Sequence, residues 1–253
     1  MNISQRPSRL PRKVLATSLF ILLGAASTSA LAADAYPLRM SGWTNGYQDL
    51  QLQAPAGTFN SASATSFNAY VGEFSGKVSG LSGYSNVAQD GSFLTYCLDL
   101  AQYFSFNTDY RYDSVVSASN RFGAVKADNL GRFYTAYAGQ VNNTEKSVAF
   151  QLGLWEIITE NTGNSLNLGS GDFRALPFGG NSALDNAAIG TANTWLAALP
   201  QTATSQYNIS VLYDAQRQDF LLATPVPEPE TWGMLLAGLG LCAAVARRRK
   251  IVA

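Results

Sequence analysis

The sequence predicts an α+β fold: a β-rich domain with a helical insertion. Short runs that alternate apolar and polar residues, such as Ser66–Val71, occur up to about residue 100 and are typical of β-strands. Apolar residues at helical spacing follow in the middle of the chain, and alternation returns at Tyr207–Tyr213. Strands, then helices, then strands indicate a helical insertion between two strand regions.

The first 32 residues have the features of an export signal. Four cationic residues stand near the start: Arg6, Arg9, Arg12 and Lys13. An apolar run from 14 to about 26 follows, and Ala30-Leu31-Ala32 forms an A-x-A cleavage site. The run is shorter than the roughly 20 residues of a membrane-spanning helix. We therefore predict a signal peptide over 1–32, which signal peptidase removes after Ala32.

Residues 33–224 form the predicted exported domain, and its elements follow in order. Short strands are predicted up to about residue 91, and a further strand over Phe93–Leu100 contains Cys97. Thr144 is a plausible N-cap for the strongest helix, and Pro200 stops the last one. The predicted helices cover Leu130–Ala138, Glu145–Glu160 and Leu184–Leu199. Strands return at Tyr207–Tyr213 and Phe220–Leu222.

Charge and composition exclude several classes of function. Residues 33–226 contain 9 cationic and 15 acidic side chains, a net charge of −6, which argues against binding nucleic acid or an anionic membrane surface. The chain has no histidine and therefore lacks the usual general base and the commonest metal ligand. We predict no enzymatic activity, no metal site and no cofactor. Cys97 has no cysteine partner in the domain, because Cys242 lies in the tail.

The helix predicted over Glu145–Glu160 carries a glutamine in its apolar stripe. At 100° per residue, Gln151 shares a face with Val148, Leu154 and Trp155. A buried amide without partners costs about 1–3 kcal/mol, so Gln151 needs an explanation. Nearby backbone groups could satisfy the amide. Alternatively, a thiol could attack the carboxamide, expel ammonia and leave an internal thioester, which apolar surroundings would protect from water.

Cys97 is the candidate thiol. Alternation along the strand places Cys97 and Asp99 on its more polar face, whereas Tyr96 and Leu98 lie on the apolar face. Gln151, in contrast, faces a predicted core. We therefore expect any Cys97–Gln151 site to lie at the edge of the contact between strand and helix.

Two short motifs resemble the thioester domains of bacterial surface adhesins. Tyr96-Cys97-Leu98-Asp99 is similar to their aromatic-Cys-aliphatic-acid strand. The segment from Gln151 to Trp155 is similar to their Gln-x-Ala-aliphatic-Trp helix, except that Gly153 replaces alanine and weakens the helix by up to about 1 kcal/mol.

This resemblance implies a role for each residue of the motifs. Cys97 would supply the sulfur and Gln151 the acyl group, with Trp155 packed beside the bond and with Tyr96 and Asp99 in support. A lysine amine or a sugar hydroxyl, on a surface protein or an exopolysaccharide, would displace the thiolate and become covalently attached. The reaction would be used once, without turnover.

The tail over 225–253 combines three features of a sorting segment. Pro227-Glu228-Pro229 keeps the chain extended, and the apolar residues 231–246 span a bilayer only marginally. The cations Arg247, Arg248 and Arg249 favour a cytoplasmic end. These features by themselves fit either a permanent anchor or a processed tail.

Together the tail residues closely resemble the PEP-CTERM sorting signal of Gram-negative bacteria. The resemblance implies removal of the tail by an exosortase, a membrane protease. It also implies delivery to the cell envelope, the outer surface or the extracellular matrix, with membrane contact through the tail before processing.

Three functions follow from these observations. The first is a surface or matrix adhesin that attaches covalently through Cys97 and Gln151. The second is a non-covalent structural or carbohydrate-binding matrix protein, in which the two residues merely pack. The third and most distant is a hydrolase with paired carboxylates. No spacing singles out a pair among the candidates Asp99, Asp109, Asp113, Glu156 and Glu160.

Overall fold

The computed structural model describes residues 36–199, 204–227, 234–235, 237–239 and 242. The predicted signal peptide with Ala32 lies outside the described residues. So do Glu228, Pro229, the Arg247–Arg249 cluster and most of the predicted sorting helix. Every described residue belongs to one compact unit, Ala33–Ala253.

Two antiparallel sheets and a group of helices build the described domain, which confirms the predicted α+β class. Its strands are β1 (Tyr36–Gln53), β2 (Ser66–Val78), β3 (Ser92–Thr95), β4 (Asp109–Tyr112), β5 (Ser114–Ser117), β6 (Arg174–Pro177), β7 (Tyr207–Asp214) and β8 (Arg217–Pro225). The larger sheet has the order β3-β2-β1-β4, with β6 also paired to β1, and the smaller one has the order β5-β7-β8. The helices are α1 (Ala118–Phe122), α2 (Ala124–Tyr137), α3 (Thr144–Thr159) and α4 (Ser182–Ala197), with a 3-10 turn at Ala138–Gln140.

A long hairpin of β1 and β2 forms the main sheet surface, and a bulge in β1 docks it onto α3. Asn45 and Gly46 at the bulge have φ angles of 61° and 88°, a left-handed conformation that favours glycine. The Thr144 hydroxyl donates to the Asn45 carbonyl at 2.7 Å. The Ser147 hydroxyl donates to the Gly46 carbonyl at 3.3 Å and accepts from the Glu73 backbone N–H at 2.8 Å. These bonds fix the first turn of α3 against the sheet.

Helix α3 is the central element of the core. Its residues from Ser147 to Ile157 are all buried, so both faces of the helix pack against other elements. The N-cap is Asn143 and not the predicted Thr144, which is the first residue of the helix: the Asn143 side chain accepts from the Lys146 backbone N–H at 2.9 Å. Gly153 permits a close approach of α2, because a Cβ at this position would lie 2.2 Å from the Phe133 ring.

Candidate functional site

The structure brings Gln151 of α3 into direct contact with the backbone of Cys97. The Cys97 N–H donates to Gln151 Oε1 at 2.8 Å, and Gln151 Nε2 donates to the Cys97 carbonyl at 2.9 Å. Cys97 is 5% exposed and Gln151 is fully buried. The amide therefore has a partner for each end, and its carbonyl carbon is held beside the residue that carries the thiol.

The predicted strand Phe93–Leu100 is too long: β3 ends at Thr95, and Cys97 lies beyond it in an extended segment that forms an isolated antiparallel bridge with Phe220. One edge of this segment is open, which makes the contact with Gln151 possible. On one edge, the residues on either side of Cys97 pair with β8: the Leu98 N–H donates to the Asp219 carbonyl and the Leu221 N–H to the Tyr96 carbonyl. The N–H and carbonyl of Cys97 itself point to the other edge, where Gln151 takes the place of a neighbouring strand. Cys97 and Gln151 thus meet at an edge, although alternation places their side chains on different faces.

The hydrogen bonds and burial also set the electrostatics of this pair. The Cys97 N–H polarises the Gln151 carbonyl and points at the oxygen on which negative charge develops when a nucleophile adds to the carbon. Burial first, and then Asp99 and Asp219, raise the pKa of the Cys97 thiol well above its usual range. The thiol is therefore protonated at neutral pH.

The sequence analysis predicted three supporting residues: Trp155 and Asp99 line the same cleft as Cys97, and Tyr96 lines a different one. Trp155, one turn beyond Gln151, is 4% exposed, and in the described part of the chain its ring N–H has no hydrogen-bond partner. Asp99 accepts from the Ala101 N–H at 2.6 Å and lies 3.6 Å from the Arg121 guanidinium. Tyr96 points away from the thiol and packs on Phe150, with ring centroids 4.7 Å apart.

A cleft of about 290 Å³ leads to Cys97 and Trp155. Its other walls are mainly aromatic and include Trp43, Phe67, Phe74, Phe104 and Phe106. Tyr70 and Tyr103 also line it and are 62% and 52% exposed. Asp99 is the charged side chain among its described lining residues. The cleft offers an apolar approach from solvent to the buried thiol.

Sequence patterns did not reveal this cleft or the charge network behind Cys97. The aromatic walls come from segments far apart in the chain, and no local motif links them. Arg121 bridges Asp99 and a fully buried Asp219, whose carboxylate it contacts at 3.1 Å. The local signal for this network was Asp219, which stands directly before the apolar run from Phe220 to Ala223. A carboxylate that is buried together with such a run requires a partner.

The candidate carboxylate pairs do not converge on a cleft. Glu156 is fully buried and accepts from the Asn167 N–H at 2.7 Å, whereas Glu160 accepts from the N–H groups of Asn161 and Asp172. Both acids therefore organise the loop that follows α3. Asp109 forms a surface ion pair with Arg39.

The described residues contain no group of three or more His, Cys, Asp or Glu side chains that could hold a metal ion. Among those same residues there is also no helix long and apolar enough to cross a membrane.

Comparison with known proteins identifies the tail. A family described as the PEP-CTERM protein-sorting motif matches residues 225–250. This match confirms the predicted sorting signal and marks the chain as an exported protein of the cell envelope or surface that an exosortase processes.

A solved structure, the N-terminal domain of the Streptococcus pyogenes pilus tip adhesin Cpa, is similar at 16% identity and a TM-score of 0.41. The similarity covers 79% of this chain and 97% of that domain. A search of curated proteins found no match.

Proposed function

We propose that the exported domain is a surface or matrix adhesin that forms an internal Cys97–Gln151 thioester and attaches covalently to a target nucleophile. The observation that carries the proposal is the pair of hydrogen bonds, 2.8 and 2.9 Å long, between the Gln151 carboxamide and the Cys97 backbone. They hold the carboxamide against the backbone of the residue that carries the thiol, and Cys97 also lines an open cleft.

The formation step is an acyl transfer within the chain. Cys97 Sγ attacks Gln151 Cδ, and the Cys97 N–H stabilises the oxyanion that forms. The C–N bond breaks, the thiol proton passes to the departing nitrogen, and ammonia leaves. The product is a thioester in which Gln151 has become the acyl group. No cofactor or metal enters this balance.

In the capture step the Cys97 sulfur is the leaving group instead of the nucleophile. An amine or hydroxyl of the target enters the aromatic cleft and attacks the acyl carbon, the C–S bond breaks, and the Cys97 sulfur receives the proton of the nucleophile. Burial disfavours a free Cys97 thiolate and keeps water away from the bond, so the thioester persists until a positioned nucleophile arrives. Each molecule reacts once and is therefore not an enzyme.

A non-covalent alternative rests on the same cleft. Tyr70 and Tyr103 expose large aromatic surfaces at an apolar cleft, an arrangement that suits stacking on a sugar ring of the matrix. In that case Gln151 only provides hydrogen-bond partners for the backbone N–H and carbonyl of Cys97. The protein is then a structural or carbohydrate-binding matrix component.

Labelling with a nucleophile separates the two functions. Exported full-length protein is incubated with a biotin-linked primary amine and analysed under denaturing conditions. We expect wild type and a Cys242→Ala control to carry the label, and Cys97→Ala and Gln151→Ala to carry none. Circular dichroism melts show whether the variants are folded. An unlabelled wild type with a freely alkylatable Cys97 would contradict the covalent function and leave the binding one.

A further inference from the structure

A second cavity, of about 470 Å³, lies behind the strand segment that carries Cys97. Tyr96 lines this cavity, whereas its neighbour Cys97 lines the aromatic cleft, so the two spaces are on opposite faces of the segment. The remaining walls come from several elements, among them β2 with Glu73, α2 with Tyr134 and β7 with Tyr207. The thioester chemistry makes no use of this space.

Glu73 is an acid without a cationic partner among the described residues of this cavity. No lysine or arginine occurs among the described residues that line it, and Glu73 is the acid among them. Its carboxylate accepts from the Asn45 side-chain amide at 3.2 Å. Burial raises the pKa of Glu73 to about 7, and the hydrogen bond from Asn45 offsets part of that rise. A bound cation would supply the missing counter-charge.

Three tyrosines line the same cavity as Glu73. Tyr134 and Tyr207 meet edge to face with ring centroids 5.0 Å apart, and Tyr96 is 4% exposed. Tyrosine rings attract cations through their negative faces, and the attraction is stronger where water is excluded. A carboxylate beside several tyrosines suits an organic ammonium group, whereas an anion would meet only negative charge.

We propose that this cavity binds an organic ammonium group, with Glu73 as its counter-ion and Tyr96, Tyr134 and Tyr207 as its aromatic walls. The proposal is independent of the thioester, because the site lies on the other face of the strand segment. A neutral sugar would leave the Glu73 charge without a partner.

Choline and its neutral isostere 3,3-dimethylbutan-1-ol test the proposal by calorimetric titration of the exported full-length protein. We expect choline to bind at least about tenfold more tightly than the isostere, since only choline supplies a charge. Glu73→Gln should weaken choline binding by a similar factor, while Cys97→Ala and the surface control Asp109→Asn bind it as wild type does. Equal binding of both compounds, unchanged binding by Glu73→Gln, or no binding of choline would overturn the proposal.

The pH dependence provides a second readout. The titratable groups near Glu73 are Tyr96 and Tyr134, whose pKa values burial raises above the usual range, so both stay neutral near pH 7. Asn45 and Ser147, which also face Glu73, do not titrate. Choline affinity should therefore fall by up to about tenfold per pH unit below pH 7 in wild type. It should stay constant in Glu73→Gln, and a flat wild-type profile would overturn the assignment of Glu73.

Discussion

Glu156 shows how strongly the interior around α3 acts on a single residue. Its side chain is fully buried, and Oε2 has no hydrogen-bond partner among the described residues. Burial raises the pKa of Glu156 to about 8, with smaller contributions from Glu160 and Asp172. The carboxyl is therefore protonated at neutral pH, and its ionisation opposes folding.

This environment predicts how Glu156→Gln changes stability with pH. Since the folded pKa is raised from 4.5 to about 8, the stability that Glu156 contributes is complete below pH 4.5 and is lost as pH rises through about 8. We expect Glu156→Gln to gain about 4 kcal/mol relative to wild type between pH 4.5 and 9, measured by urea unfolding. A constant difference across that range would contradict the assignment.

Glu160, at the C-terminus of the same helix, is a control because its pKa is shifted in the opposite direction. Burial alone would raise its pKa, but hydrogen bonds from Asn164, Asp172 and Asn161 outweigh burial and lower it. Its stabilisation is therefore present above pH 4.5 and is lost as pH falls. Glu160→Gln should cost stability at pH 7 and cost less at pH 3.

At the residue scale, the sequence identifies the chemistry of the candidate site but not its geometry. Cys97 is a candidate because it has no cysteine partner in the domain, and Gln151 is a candidate because it is a polar residue in an apolar stripe. Alternation assigns them to different faces, since it describes side chains and says nothing of backbone groups. The contact instead joins the Gln151 side chain to the Cys97 backbone at a strand edge.

At the scale of elements, the contact between α2 and α3 explains the glycine at position 153 in the middle of a helix. The Phe133 ring occupies the space of a Cβ at Gly153 and packs against Phe150, Tyr137 and Trp195. Because Phe133 is fully buried, the ring has little room to move. Gly153 is therefore a packing requirement of this helix pair.

Gly153→Ala should destabilise the protein despite the better helix propensity of alanine. Overpacking costs about 1–3 kcal/mol, against a propensity gain of about 1 kcal/mol. Gly190→Ala in α4 is the matched control, because a Cβ there meets nothing within 4 Å, and it should be neutral or stabilising. Chemical denaturation checks both variants, and equal effects would contradict the packing argument.

Helices were easier to predict than the long strands. The predicted Glu145–Glu160 differs from α3 by one residue at each end, because its apolar stripe is a local signal. The first two strands span 18 and 13 residues, not the short runs expected. The bulge around Asn45 and Gly46 shifts the register of β1 and interrupts its alternation. The start of α2 at Ala124 precedes the prediction because its first turns are polar.

At the scale of the whole molecule, the domain and its tail have separate tasks. The PEP-CTERM motif at 225–250 directs processing, while the candidate thioester lies within the domain. Replacing Pro227, Glu228 and Pro229 by alanine should therefore block tail removal and leave the domain folded. Intact mass of membrane-associated protein checks this result, with Pro55→Ala as a control. Normal tail removal in the triple variant would contradict the role of the motif.

The intact mass of untreated, exported protein tests the central claim most directly. We expect the wild type to be lighter than its processed sequence by one ammonia, and Cys97→Ala and Gln151→Ala to have their full masses. Methylamine should add to the wild type alone and free the Cys97 thiol. A wild type of full mass, with Cys97 freely alkylatable in fresh protein, would contradict the thioester.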